Sequence, residues 1–288
     1  PYDSYGDPNP IDLAGNSTAT AFDIGENLTG FGTYRDRVGG TTDTDDFYQF
    51  NLASGSQVNL SLTGFNADLD LGLYDSNGAL IQASTQAGNT PESIITTLAA
   101  GTYFIQVNPF VPSSSTTYSL AVSVNNLPIL ATNNPLTLDE EGSQTLSSAF
   151  LQVTDPDNSP FQVTYTLNQV PTNGTLVVNG VTASLGTTFT QADLDDPSGR
   201  VLYLHNGSET TSDRFTFRVG DGAGGAINNA TFSFVVNPVN DSPALLSNRG
   251  LTLSENDAAN ITTALLQITD PDSPPESLTY TVTTPPVS

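Results

Sequence analysis

The sequence predicts an all-β fold, with tandem antiparallel β-sandwiches joined end to end, and three observations carry that expectation. Apolar and polar residues alternate with period two almost throughout the chain of 288 residues. That is the signature of a strand with one buried face. Turn signals separate the alternating runs: Asp75-Ser76-Asn77-Gly78, Asn173-Gly174, Asn179-Gly180 and Asp221-Gly222. Finally, residues 136–171 recur as 251–286, shifted by 115 positions without insertion or deletion. A fixed internal period marks a tandem array.

The elements follow in order. Val58–Leu62 and Leu69–Leu73 place leucines and valine on one face and polar residues on the other. Tyr118–Val124 and, further on, Phe215–Val219 repeat the pattern. No stretch sustains a 3.6-residue period; Ser148–Val153 and Gln191–Leu194 are each expected to form a single helical turn. Asn125-Asn126-Leu127-Pro128 aligns with Asn240-Asp241-Ser242-Pro243, again at 115. The expected units are therefore 1–125, 126–240 and a partial copy at 241–288. That last copy holds 48 residues of the 115-residue period, too few to close a core. Proline at each joint fixes φ and extends the residue before it, so short, stiff joints are expected.

Thirty acids face six bases, all of them arginine, for a net charge of -24. Asp outnumbers Glu 23 to 7. Asp prefers turns, caps and hard-cation sites to helix interiors. The acidic surface disfavours nucleic acid and anionic lipid as partners. No apolar run is long enough to insert in a membrane. There is no Cys, so disulfides are excluded. Without Cys, Lys or a Gly-x-Ser-x-Gly elbow, and with one histidine, His205, the sequence points away from catalysis. His205 is expected to be a satisfied structural residue.

The first unit resembles the bacterial pre-peptidase C-terminal domain over about Asn16–Val124. The resemblance rests on Ala21–Gly25, Asp43–Phe50, Ala67–Gly78, Ala100–Val107 and Tyr118–Leu120. It implies a jelly-roll-like sandwich of the kind appended to secreted enzymes and surface proteins, some of which bind calcium near the domain's start and some of which bind polymers. The second unit resembles the cadherin-like repeat of chondroitin sulfate proteoglycan type. It carries Leu138-Asp139-Glu140-Glu141-Gly142, Asp155-Pro156-Asp157, Phe189–Leu194, Val201–Glu209, Asp213–Phe217, Asp221-Gly222 and Val239–Pro243. That resemblance implies an extracellular adhesive or spacer module, often rigidified by calcium between repeats.

Asp155-Pro156-Asp157 carries the most pointed chemistry. In an extended segment residues i and i+2 face the same way, so the two carboxylates converge. They repel by roughly 1 kcal/mol at ~4 Å even in water. A hard cation with oxygen ligands reverses that sign. The motif returns as Asp270-Pro271-Asp272. The plain alternative is a polar turn. By the cadherin resemblance, a Ca2+ at the second joint would draw on Glu140 or Glu141 and on Asp221, then Asn240 and Asp241, then Asp270 and Asp272. Asp155 and Asp157 would serve the first joint with fewer charges. Asp43, Asp45 and Asp46 form a further cluster, which the first resemblance implicates in calcium binding and which could equally be a solvated loop. Asp68 and Asp70, alternating with Leu69 and Leu71, are expected to face water.

Three functions remain open at this level. The leading one is a calcium-stiffened structural or adhesive array at the cell surface, with other copies of itself or surface polymers as partners. The second is a filament subunit whose third unit is completed by strand addition from a neighbouring chain. The third is a polymer-binding appendage of a secreted hydrolase.

Overall fold

The computed structural model describes residues 12–25 and 28–284; the last positions of the repeat, through Pro286, lie outside them. The first sandwich is built from β1 (Phe22–Asp23), β2 (Gly30–Gly39), β3 (Asp46–Leu52), β4 (Ser56–Thr63), β5 (Leu69–Asp75), β6 (Leu80–Ser84), β7 (Glu92–Leu98), β8 (Gly101–Pro109) and β9 (Ser115–Asn126). One sheet has the order β1-β3-β8-β5-β6 and the other β2-β9-β4-β7. Alternation fixes which residues meet between them. On β3, Asp46, Tyr48, Phe50 and Leu52 point inward, and on β4 Val58, Leu60 and Leu62 do. Asp75 closes the β5–β6 turn by accepting from the Asn77 and Ala79 N–H groups at 2.8 and 2.9 Å. Gly78 supplies the left-handed residue this turn needs, at φ 79°. Asp68 and Asp70 are half-buried rather than fully solvated, and burial raises the Asp70 carboxyl above its ordinary range.

The second sandwich follows from β10 (Ile129–Asn133), β11 (Leu136–Asp139), β12 (Ser143–Thr145), β13 (Leu151–Thr154), β14 (Thr164–Gln169), β15 (Gly174–Val178), β16 (Val181–Thr182), β17 (Thr188–Thr190), α1 (Gln191–Asp195), β18 (Val201–His205), β19 (Ser212–Gly220) and β20 (Ala226–Asn237). Its sheets run β11-β20-β19-β14-β17 and β12-β18-β15-β16, with β10-β13 as a separate pair. The core is aromatic: Tyr203 stacks on Phe234 with ring centroids 3.7 Å apart, and Tyr165 on Phe189 at 4.8 Å. The helical turn expected over Gln191–Leu194 is α1, started by a capping box between Thr190 and Asp193. The turn expected at Ser148–Val153 is shorter. A tight turn ends at Leu151, whose N–H donates to the Ser147 carbonyl, and β13 begins there because Leu151 and Val153 are drawn inward.

The repeat is visible as geometry. β10 pairs antiparallel with β13 from Ile129↔Thr154 to Asn133↔Leu151, with a bulge after Leu130. In the third unit β21 (Ala244–Asn248) pairs with β22 (Leu266–Thr269) from Ala244↔Thr269 to Asn248↔Leu266, with its bulge after Leu245. Each partner and each bulge is displaced by the same 115 positions as the sequence.

Candidate metal centres

Some buried acids are fully answered by the fold. Asp213 accepts from the N–H groups of Thr172, Asn173 and Arg214 and from the Tyr203 hydroxyl, at 2.8 to 3.0 Å. Others are not. Buried oxygens without a hydrogen-bond partner, among the described residues, include both carboxylate oxygens of Asp43 and one each of Asp46, Glu140 and Asp155. A buried acceptor left unpaired costs about 1–3 kcal/mol, and more when charged. These orphans fall in three places.

The first is in the first sandwich. Alternation along β2 turns Asp36 inward beside Val38, and alternation along β3 turns Asp46 inward beside Tyr48. Asp36 and Asp46 are completely buried and Asp43 nearly so. Ligand oxygens of Asp12, Asp36 and Asp46 lie within 4.8 Å of one another. Asp36 is anchored by the Ala14 N–H at 3.0 Å and the Tyr48 hydroxyl at 3.0 Å. Tyr48 meets Tyr118 at 2.7 Å, and Tyr118 meets Asp46 at 2.6 Å. Three oxygen–oxygen contacts need three hydrogens, and two tyrosines supply two. A proton on Asp46 completes the chain. Desolvation pushes the Asp46 carboxyl up to about 9, with Asp36 and Asp43 adding to the shift. Desolvation and then Asp12 push Asp43 up to about 6. Asp45, expected beside Asp43 and Asp46, is directed elsewhere: it accepts from Gln106 Nε2 at 2.6 Å. It immediately precedes inward-facing Asp46, so period two gives it the opposite face.

The second is the joint between the first two units. Asp157 accepts from the Asn126 N–H at 2.9 Å, and Asp155 accepts from the Asp157 N–H at 3.2 Å. Asn126 is held from the other side by the Ser54 and Ser56 hydroxyls at 3.0 and 2.8 Å. Asp221, assigned by the sequence to the second joint, belongs here. One of its oxygens takes the Asn125 amide at 2.7 Å, and the other takes the N–H groups of Ala223, Gly224 and Gly225 at 2.7 to 3.0 Å. The loop after β19 folds back toward the preceding unit, which puts Asp221 at the opposite end of the sandwich from Glu140. Desolvation and the hydrogen-bonded Asp157 push Asp155 up to about 6. The side-chain oxygen of Asn158 is also buried and unpaired.

The third is the joint between the second and third units. The Asp241 N–H donates to Asp272 at 2.5 Å, and the Asp272 N–H donates to Asp270 at 3.0 Å. These are the first-joint contacts displaced by one period. Glu140 is buried, accepts from the Val239 N–H at 3.3 Å, and leaves its other oxygen unpaired. Glu141 does not join it. Its φ of 56° puts it at the crest of the β11–β12 turn, and its side chain lies over Gly207. Asn240 is exposed and turns its amide to the Asp241 carbonyl at 2.7 Å. Glu209, which sequence reasoning missed, lies within 4.8 Å of Asp241 and Asp272. Desolvation, Asp272 and Glu140 raise its carboxyl above the ordinary range.

The unpaired buried atoms at all three places are oxygens, from carboxylates and from the Asn158 amide, the donor type of a hard cation. The residues fit calcium by chemistry: each orphan oxygen lacks a donor, and no ion pair falls in any of the three places, although the charge of Arg37 favours the Asp43 carboxylate. The single ion pair among the described residues, Arg200–Asp196, lies in none of them. His205 is engaged by Thr210 at 3.1 Å and the Gly207 N–H at 3.3 Å.

Two family models match stretches of the chain. A family model described as cadherin-like matches residues 128–237 and 243–288, and one described as the bacterial pre-peptidase C-terminal domain matches 44–109. The human extracellular matrix organizing protein FRAS1 is 32% identical over 171 residues, covering 59% of this chain and 4% of that protein. Extracellular matrix protein 3 of Lytechinus variegatus is 30% identical over 168 residues, covering 55% of this chain and 5% of that protein. Human chondroitin sulfate proteoglycan 4 is 38% identical over 95 residues, covering 33% and 4%. The chain thus spans a small fraction of the length of these relatives. With the matched repeats running over more than half of its residues, the chain belongs to the cadherin-like family, and ahead of those repeats residues 44–109 are similar to the bacterial pre-peptidase C-terminal domain.

Proposed function

We propose that this chain is a structural or adhesive segment of an extracellular protein, and that calcium stiffens it at the two joints and within the first sandwich. The observation that carries the reading is the set of buried carboxylate oxygens with no donor, at Asp43, Asp46, Glu140 and Asp155. The matrix proteins among its relatives support the extracellular setting. Asp36, Asp43 and Asp46, with Asp12, would hold one ion. Asp155, Asp157 and Asn158 would hold one at the first joint, and Glu140, Glu209, Asp241, Asp270 and Asp272 one at the second. Calcium supplies positive charge there; the chain's own residues fix its place. The units 1–125, 126–240 and 241–288 act as consecutive segments of a shaft, with no catalytic role.

The two joints differ in kind. The first is already tied by direct bonds, from Ser54 and Ser56 through Asn126 to Asp157 and from Asn125 to Asp221. The second has Asp241–Asp272 and Val239–Glu140 contacts and gathers like charges. Removing the cation should therefore loosen the second joint most. Small-angle scattering of the whole chain tests this. A maximum dimension that shortens or broadens in chelator, and is restored by calcium but not by matched ionic strength, supports the reading. Identical profiles and identical melting curves in chelator and calcium refute it.

A further inference from the structure

Most of the arginines sit on sheet faces rather than in ion pairs; Arg200, paired with Asp196, is the exception among the described residues, and Arg37 favours the Asp43 carboxylate. Along β19, Asp213, Phe215, Phe217 and Val219 are buried, so Arg214, Thr216 and Arg218 project from the outer face of their sheet. Arg214 and Arg218 are exposed and form no ion pair. Register places hydroxyls around them. Arg218 faces Thr166, which faces Thr188, while Arg214 faces Ser233. Among β14, β17, β19 and β20 the one acid is Asp213, and it is buried. The nearest outward carboxylate in the sheet, Asp139, lies across β20 on β11 and is engaged by Asn237 at 3.0 Å. β2 repeats the device: Arg35 and Arg37 alternate with buried Asp36 and Val38 and face outward. Four of the six arginines of a chain with net charge -24 therefore occupy two sheet faces.

We propose that these arginine-bearing faces, that of β19 above all, bind an acidic polysaccharide. Guanidinium forks match carboxylate or sulfate groups, and the flanking threonine and serine hydroxyls match sugar hydroxyls. The β19 face is a poor protein interface. Val235 is its one sizeable apolar side chain, whereas stable protein interfaces bury an apolar, aromatic-rich centre. A polymer also repeats its anionic groups, and the chain repeats its arginine face on two sandwiches, so weak contacts add. The net charge opposes a polyanion at a distance, but screening over about 8 Å at physiological salt leaves contact to the local surface.

The test uses the whole chain in chelator, so that calcium cannot bridge acid to acid. Binding is measured to dextran sulfate and polygalacturonate, with neutral dextran and single-stranded DNA as comparisons, at about 0.15 M salt. The expected result is saturable binding to at least one acidic polysaccharide and none to dextran. R214S/R218S should weaken it at least about tenfold, and adding R35S/R37S should abolish it. Arg214 and Arg218 are exposed on an outer face, so the melting temperature of R214S/R218S should not move. R249S, which removes an exposed arginine elsewhere, should leave binding unchanged. The proposal is overturned by no binding to either acidic polysaccharide, by equal binding in the quadruple variant, or by equal loss in R249S. Preference for DNA, or arginine-dependent dimers in place of polymer binding, overturns it too.

Discussion

Asp46→Asn in the first sandwich separates cation binding from ordinary core packing. The Asp46 carboxyl is pushed up to about 9 by desolvation, against roughly 3.9 in an unfolded chain. A raised pKa means the fold favours the protonated form. That contribution is present in full below about pH 4 and is lost as pH rises through about 9. Between those limits the folded state holds one more proton than the unfolded state. Stability then falls by about 1.4 kcal/mol per pH unit, or about 4 kcal/mol between pH 5 and pH 8. Asp43, pushed up to about 6, adds the same sign, but its window closes near that pH. Asparagine keeps the shape and a donor toward Tyr118 without a titrating proton. In chelator, D46N should therefore flatten most of the slope and be more stable than wild type at pH 8. Calcium, which replaces the proton on Asp46, should stabilise wild type at pH 8 and leave D46N nearly unchanged. Hydrogen exchange of the whole chain, read on peptides from β3 and β9, measures the local opening free energy. An equal slope in D46N, a flat wild type in chelator, or equal calcium stabilisation of both would refute the reasoning.

Other outcomes follow from the same contacts. E140Q with D272N should abolish the calcium dependence of the scattering profile while leaving the second sandwich's melting temperature within a few degrees. D213A should destabilise the second sandwich by about 3 kcal/mol in urea unfolding, equally with and without calcium, because it strips three N–H groups and the Tyr203 hydroxyl of their acceptor. D45N should leave terbium luminescence from the first sandwich unchanged, since Asp45 faces Gln106 and not the cluster. D221A should loosen the first joint and increase exchange at residues 223–225 in calcium as well as in chelator, because Asp221 acts there through hydrogen bonds.

The sheets were legible because one face of each is buried, which makes alternation carry the register. The repeat, down to its bulge, was legible because the β10–β13 and β21–β22 pairs use the same residues 115 positions apart. The Asp-Pro-Asp motifs were legible for the same reason, and they do sit at the joints. What was lost depended on which way a side chain turns and on which loops meet. Asp36 could have been found: period two puts it on one face with Tyr34 and Val38, an acid in an apolar stripe. Asp45 could have been set aside by the same rule, one position before inward-facing Asp46. Glu209 had no local signal, because it reaches the second joint from a loop after β18 whose path only the folded sandwich fixes. Asp221 was misplaced because both joints carry an Asn that could bind it, and the end of the sandwich at which the β19–β20 loop emerges is a matter of topology.

The most direct measurement is an anomalous difference map from crystals of the whole chain grown in calcium and collected at a wavelength where calcium scatters anomalously. Calcium-stiffened joints and a calcium-filled first sandwich give peaks among Asp36, Asp43 and Asp46, and among Glu140, Glu209, Asp241 and Asp272, each ringed by oxygen at about 2.3–2.6 Å. Featureless anomalous density at both places, with ordered water donating to the Asp43 and Glu140 oxygens, would contradict calcium binding there.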